Sequence, residues 1–292
     1  RSLFYRFLRG LLVVGSLVGV SLLGFIWYVG AWGVVFPSQQ HDTVAPVLPA
    51  ELGSPAVLVF SKTNGFRHKE GIEGGARVLY SLARARNWGH FHTENGAVFN
   101  SADLARFDAV VFLNASGDML SAEQEQVFQQ WLLSGGGWLG IHAAGDGSHA
   151  DWQWYMDELI GAEFTAHILD PQFQRATVVL ENQQHPALSG LPDIWDHEEE
   201  WYSWASSPRE QGFNILATLD EDSYTPVQKM FNRERDLRMG DHPVVWSNCV
   251  GSGRSLYFAM GHRAEAFTQP QVRQIMENAL VWLTGESSEA GC

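Results

Sequence analysis

Gly135-Gly136-Gly137-Trp138-Leu139-Gly140-Ile141-His142-Ala143-Ala144-Gly145-Asp146 is the stretch whose reading decides the fold. A glycine turn feeds a short apolar run, and the run stops at a histidine followed by small residues. Such a run between turn signals reads as a buried strand. In an open parallel sheet, ligands bind outside the carboxyl ends of the strands. His142 therefore stands where chemistry is expected, with Asp146 just beyond to orient the turn or bind substrate.

Working outward, strand and helix patterns alternate. Asp108–Leu113 reads as a strand before it, and Ser121-Ala122-Glu123-Gln124 has capping-box form ahead of a helix burying Val127, Phe128, Trp131 and Leu132. Further upstream, Ala56–Phe60 reads as the first strand. The polar loop Ser61–His68, a helix over 69–86 and a strand over Trp88–Thr93 come next. This rhythm predicts βαβ units and a parallel sheet. Downstream, Trp152–Met156 leads a short helix to Ile160, and Phe173–Glu181 is expected as a strand. Glu198–Trp204 and Phe213–Leu219 are expected as extended segments. Pro243–Trp246 and Ser255–Met260 are expected as a hairpin that ends at Gly261-His262, and Gln271–Leu283 as a closing amphipathic helix.

The N-terminus is of another kind. Arg1, Arg6 and Arg9 precede Leu11–Phe36, which is almost wholly apolar. A bilayer core of about 30 Å needs about 20 such residues, and a signal h-region has only about 7–15. Trp27, Tyr28 and Trp32 near its far end suit an interfacial belt. Residues 1–36 are therefore expected to anchor the chain in a membrane. The arginines place the N-terminus in the cytoplasm and the domain on the outer, periplasmic side. Residues 37–54 read as a partly extended linker, 55–285 as one α/β domain and 286–292 as a tail. Thirty-three acidic against nineteen basic residues give a net charge of −14. Nucleic acid is therefore excluded as a partner. Two cysteines, Cys249 and Cys292, do not predict a disulfide framework or a cysteine metal site.

Eight landmarks in order carry a resemblance. They are Gly65-Phe66-Arg67-His68, Gly140–Asp146, Phe164-Thr165-Ala166-His167, His185-Pro186, Glu200-Trp201-Tyr202, His242–Trp246, Gly253-Arg254 and Gly261-His262. From about Ala56 to Thr284 the chain resembles the ThuA-like family, named for trehalose utilisation. The resemblance implies a flavodoxin-like, class I glutamine amidotransferase-like three-layer α/β sandwich, here preceded by one transmembrane helix. In amidotransferases of that fold a nucleophilic cysteine occupies the turn where His142 stands. A thiolate paired with histidine is needed for that chemistry, so glutaminase activity is not expected. Gly261-His262 resembles the place of the fold's triad histidine, so His142 and His262 are expected to face one crevice.

Facing histidines with a carboxylate suit metal ligation or acid–base catalysis. His142, His262 and Glu200 are the expected catalytic residues. His68, Arg67, Asp146, Trp201 and Tyr202 are the expected substrate contacts. The candidate ligand shell is His142, His262, His68 and Glu200, with His167 as a further member. A divalent transition metal, zinc or manganese, is expected on His142, His262 and His167 among these. His185 and His242 are expected in structural turns, and His41, His90, His92, His149 and His197 at the surface. Twelve tryptophans, with Trp152, Trp154, Trp201 and Trp204 flanking the crevice, favour a sugar ligand.

Two functions stay open. One is an enzyme acting on a disaccharide or keto-glycoside, in which a histidine removes a C–H proton beside a ketone and a metal stabilises the enediolate. The resemblance implies work beside a sugar dehydrogenase. The other is a non-catalytic sugar-binding or scaffold subunit of a membrane-associated complex, with a membrane protein as partner.

Overall fold

The computed structural model describes residues 2–149, 151–230 and 232–286. In chain order the elements are α1 (Ser2–Tyr28), α2 (Trp32–Val35), β1 (Ala56–Phe60), α3 (Lys69–Arg86), β2 (Gly89–Thr93), α4 (Ser101–Leu104), β3 (Ala109–Leu113), α5 (Ala122–Leu133), β4 (Gly137–Ile141) and α6 (Gln153–Tyr155). Then come β5 (Phe164–His167), β6 (Gln174–Leu180), β7 (Ile194–Glu199), β8 (Tyr202–Trp204), β9 (Asn214–Asp220), β10 (Val227–Met230), β11 (Arg233–Asp236), β12 (Pro243–Val250), β13 (Gly253–Phe258) and α7 (Pro270–Leu283).

Nine strands form one sheet in the order β2-β1-β3-β4-β13-β12-β9-β6-β7. From β2 to β13 neighbours run parallel; from β13 to β7 they run antiparallel. The expected parallel sheet is thus half of a mixed one. Every residue of β1, β3 and β4 is buried, as strands covered on both faces require. β7 instead alternates exposed and buried residues, the mark of a one-sided edge strand. The capping box at Ser121 and Gln124 is present and opens α5.

α1 is long and apolar enough over Phe4–Tyr28 to cross a membrane. Its 25 residues span about 37 Å at about 1.5 Å each. The apolar stretch does not continue as one helix to Phe36. Gly30, at φ +83°, turns the chain, and α2 docks back on the domain. Residues 37–54 carry no regular element, yet they are strapped down. His41 Nε2 meets Asp118 at 2.8 Å, and Asp42 pairs with Lys62 at 2.6 Å and accepts the Gly96 N–H at 2.8 Å.

Other expectations are corrected. His149 and His197 are buried, not at the surface; His149 spends both ring nitrogens on the carbonyls of Gly117 and Ala115. Trp152, Trp201 and Trp204 are core residues, and Trp154 packs against that core. The Trp201 indole N–H donates to the Gln174 carbonyl. Cys249 lies in β12, and Cys292 lies outside the described residues.

Burial lowers His90 and His185 to about 4. In the unfolded chain both take protons near pH 6.5. A lowered histidine pKa gives stability that is complete above the unfolded value and lost as pH falls towards the folded one. The metal-free protein is therefore expected to lose stability between about pH 6.5 and pH 4. After allowance for partial exposure this is together about 2 kcal/mol, or roughly 4–8 °C in Tm. Calorimetry across that window, repeated on His90→Gln/His185→Gln, checks it: the double variant should show a visibly shallower slope.

Candidate active and metal site

β4 and β13 are adjacent and parallel, with Ile141 opposite Phe258. The loops that leave the two strands therefore emerge side by side at the carboxyl edge. His142 comes directly after β4 in a left-handed conformation, φ +49°, which costs a non-glycine residue of order 1 kcal/mol. The strain is held by its surroundings. Its Nδ1–H donates to the Ala259 carbonyl at 2.7 Å, and Tyr257 Oη donates to its own carbonyl at 2.7 Å. Fixing the Nδ1 proton leaves the Nε2 lone pair free to ligate.

That Nε2 lies 3.3 Å from His262 Nδ1 and 3.4 Å from Glu200 Oε2. His262 Nδ1 is 2.9 Å from the same Glu200 oxygen. His68, from the loop after β1, stands edge-on to both rings, with centroids 4.8 Å from His142 and 4.5 Å from His262. Its Nδ1 is buried without a hydrogen-bond partner. One ligand atom from each of His68, His142, Glu200 and His262 lies within 4.8 Å of all the others. This cluster could hold a metal ion.

The electrostatics are those of a site built around charge. Burial opposes protonation of His142, but its hydrogen bond to Glu200 and the charges of Glu199 and Glu200 raise its pKa. Burial likewise pushes the Glu200 carboxyl up, but hydrogen bonds and charge from His142 and His262 hold it well below the usual range. Burial, reinforced by His142 and His262, keeps His68 neutral.

The other expected residues fall in different places. His167 is outside the ligand cluster. Its Nδ1 lies 3.1 Å from the opposite oxygen of Glu200, Oε1, and 2.8 Å from the Ile168 carbonyl; the cluster is the candidate shell His142, His262, His68 and Glu200 without His167. Tyr202 lies against His142, ring centroids 4.3 Å apart. Trp201 is turned into the core. Arg67 is taken by Glu94 at 2.6 Å and Thr63 at 2.9 Å. Asp146 is half-buried and accepts the Ser148 N–H at 2.9 Å; desolvation raises its pKa. The aromatic rings beside the histidines are instead Phe66, Phe173 and Tyr202, with Phe164 packed on Tyr202.

Sequence reasoning missed three supports. Glu199 accepts the Gly261 N–H at 2.7 Å and the His262 N–H at 3.4 Å, anchoring the turn that presents His262. The period-two pattern Trp195, His197, Glu199 was the available signal, since all three face inward. Asn114 ends β3 as His142 ends β4. Its amide joins the two turns, donating to the Gly261 carbonyl at 3.1 Å and accepting the Ala143 N–H at 3.3 Å. Gly71 lets α3 approach closely: a Cβ there would press into the Gly261 carbonyl and come within 2.7 Å of that of His262. Gly71→Ala is therefore expected to cost about 1–3 kcal/mol and to displace His262. Thermal melts beside metal titration check it, with Gly74→Ala as a comparison that presses on Ala264 instead.

Comparison with known proteins agrees with this geometry. The chain is similar to a ThuA-like protein from Bacteroides uniformis at 24% identity and TM-score 0.70, over 85% of this chain and 98% of that one. It is also similar to a ThuA-like protein from Parabacteroides merdae at 16% identity and TM-score 0.62, over 81% and 92%. At these identities the likeness is one of fold. Among curated proteins none matches. The family model described as trehalose utilisation matches residues 56–283, nearly all of the domain beyond the strap, and the chain belongs to that ThuA family.

Proposed function

We propose that the protein is a membrane-anchored enzyme that acts on a disaccharide or keto-glycoside, with a divalent transition metal held by His68, His142, Glu200 and His262. The observation that carries this is the convergence of four ligand atoms, one of them on an imidazole with an orphaned nitrogen, at the carboxyl edge of the sheet. Three imidazoles and a carboxylate are a donor set suited to zinc, with manganese the second choice. When bound, such an ion supplies Lewis acidity toward a sugar oxygen. The family's association with trehalose utilisation supports a carbohydrate-related role.

With three imidazoles committed as ligands, proton transfer falls to His167. Its Nδ1 is occupied by Glu200 and the Ile168 carbonyl, which leaves Nε2 for the substrate. In a keto-glycoside, His167 takes the C–H proton beside the ketone. The C–H electron pair forms a C=C bond, and the glycosidic C–O bond on the next carbon breaks with its pair on the leaving sugar oxygen. That oxygen takes up the proton held by the His167 imidazolium. Phe173, half-buried beside His262, offers aromatic surface to the sugar. A sugar dehydrogenase would supply the keto group, and the arginines ahead of the apolar run Leu11–Phe36 favour a cytoplasmic N-terminus and a periplasmic domain.

The full-length chain, supplied with zinc or manganese and a panel of keto-disaccharides, should release product detectable by mass spectrometry. His167→Ala should slow release by about 10²–10⁴-fold with metal content unchanged. No product from any member of the panel would favour the second reading, a non-catalytic sugar-binding or scaffold subunit. The anchor is the observation that favours that reading.

A further inference from the structure

We propose that the site opens at the membrane surface and takes its sugar from a glycolipid, whose headgroup enters the pocket while its acyl chains stay in the bilayer. The inference rests on the reading of the ligand as a sugar and of α1 as a membrane span.

The observation behind it is a wall. The pocket that reaches His68 and His262, of about 270 Å³, is bounded on one side by the Phe66–Glu70 loop. On the other side it is bounded by Tyr28 and Val29, the last residue of the apolar helix and the one after it. The junction is built, not incidental. Lys69, one residue beyond His68, sits 4.1 Å over the Trp27 ring and donates to the Trp27 and Tyr28 carbonyls at 3.4 and 3.3 Å. A cation on the last carbonyls stabilises a helix C-terminus. The Arg67 N–H donates to the Gly30 carbonyl at 2.9 Å. A Cβ on Gly33 would collide with the backbone of Asn64 and Gly65, so the chain after the helix lies flush on the site loop.

Around this junction the surface is that of an interfacial element. Trp32, Val34, Val35 and Phe36 remain exposed beside the helix end, and Trp27 and Trp32 line a neighbouring pocket of about 280 Å³. Aromatic and aliphatic side chains at the end of a span mark the headgroup level of a bilayer. The strap at His41 and Asp42 ties the segment after α2 to the domain. The entrance beside His68 therefore lies at the level of lipid headgroups. A sugar dissolved in water gains nothing from an apolar rim. A sugar headgroup on acyl chains uses both parts.

The test is photocrosslinking in the full-length chain, placed in nanodiscs of phosphatidylcholine doped with glucosyl diacylglycerol. Glu70→benzoylphenylalanine puts the probe at the exposed rim of the pocket. Ser134→benzoylphenylalanine, just before β4, puts it at the opposite end of that strand. The expected result is an adduct with glucosyl diacylglycerol at position 70, about tenfold over phosphatidylcholine per mole of lipid, and no lipid adduct at position 134. No lipid adduct at position 70, or adducts there without preference for the sugar lipid, would overturn the inference. Metal content measured on the same samples separates the two readings: a metal-loaded site with no adduct overturns glycolipid entry and leaves the site itself standing.

Discussion

Glu200→Gln is expected to lower metal affinity by at least about 100-fold, the upper end of what loss of an outer-shell partner costs, and to abolish turnover. Among the described residues, Glu200 is the carboxylate in contact with the His142, His262 and His167 rings. Oε2 faces His142 and His262, while Oε1 faces His167 and the Gln172 amide, at 2.5 Å. Glutamine keeps the shape and removes the charge. It presents an N–H₂ group where a cation or a protonated imidazole needs an acceptor. The His142 pKa, raised in part by this carboxylate, should fall with it. Competitive zinc titration and NMR titration of the His142 ring check both. Retention of affinity within a few-fold would remove Glu200 from the metal shell.

Glu199→Ala is expected to be the most destabilising single change at the site, about 3 kcal/mol, or roughly 6–12 °C in Tm. Glu199 is buried and accepts backbone N–H groups from Gly261, His262 and Glu200. Truncation leaves these donors buried with no partner, and an orphaned buried donor costs more than a hydrogen bond normally contributes. Burial works against its charge, yet the His197 ring, 3.6 Å from its Oε2, and the nearby His142 keep its pKa low. Glu199→Gln, which keeps one acceptor oxygen, should lose about half as much. A melting temperature unchanged in Glu199→Ala would show that Gly261-His262 is held by other means.

The parallel half of the fold was legible because its strands are continuous apolar runs set off by turn signals and a capping box. Those cues are local. In the antiparallel half only the β12–β13 hairpin was read with its pairing; the other strands were read unpaired, because β6 joins β9 and β7 through contacts far apart in sequence. The site was legible where strand-end logic applies: His142 after β4 and His262 after β13 sit on adjacent parallel strands. His68 and Glu200 were in the candidate shell from the sequence as well. The exclusion of His167 was not legible: only its three-dimensional position, against the far oxygen of Glu200, puts it outside the ligand set. Tryptophan content gave no direction, since a ring that packs in a core and a ring that receives a sugar have the same composition. His149 and His197 were misplaced for the same reason: a polar residue is buried when backbone or carboxylate partners meet it, and those partners are distant in the chain. The strap had the composition of a free linker, and its docking depends on His41 and Asp42 finding Asp118 and Lys62.

The most direct test of the central claim is the metal content of the full-length chain, purified in detergent without a histidine tag and without chelators, measured by inductively coupled plasma mass spectrometry. The account predicts about one equivalent of zinc or manganese per chain, lost in His68→Ala and in Glu200→Gln and retained in His167→Ala. A chain free of metal after incubation with either ion, or one whose metal survives both ligand substitutions, would contradict it.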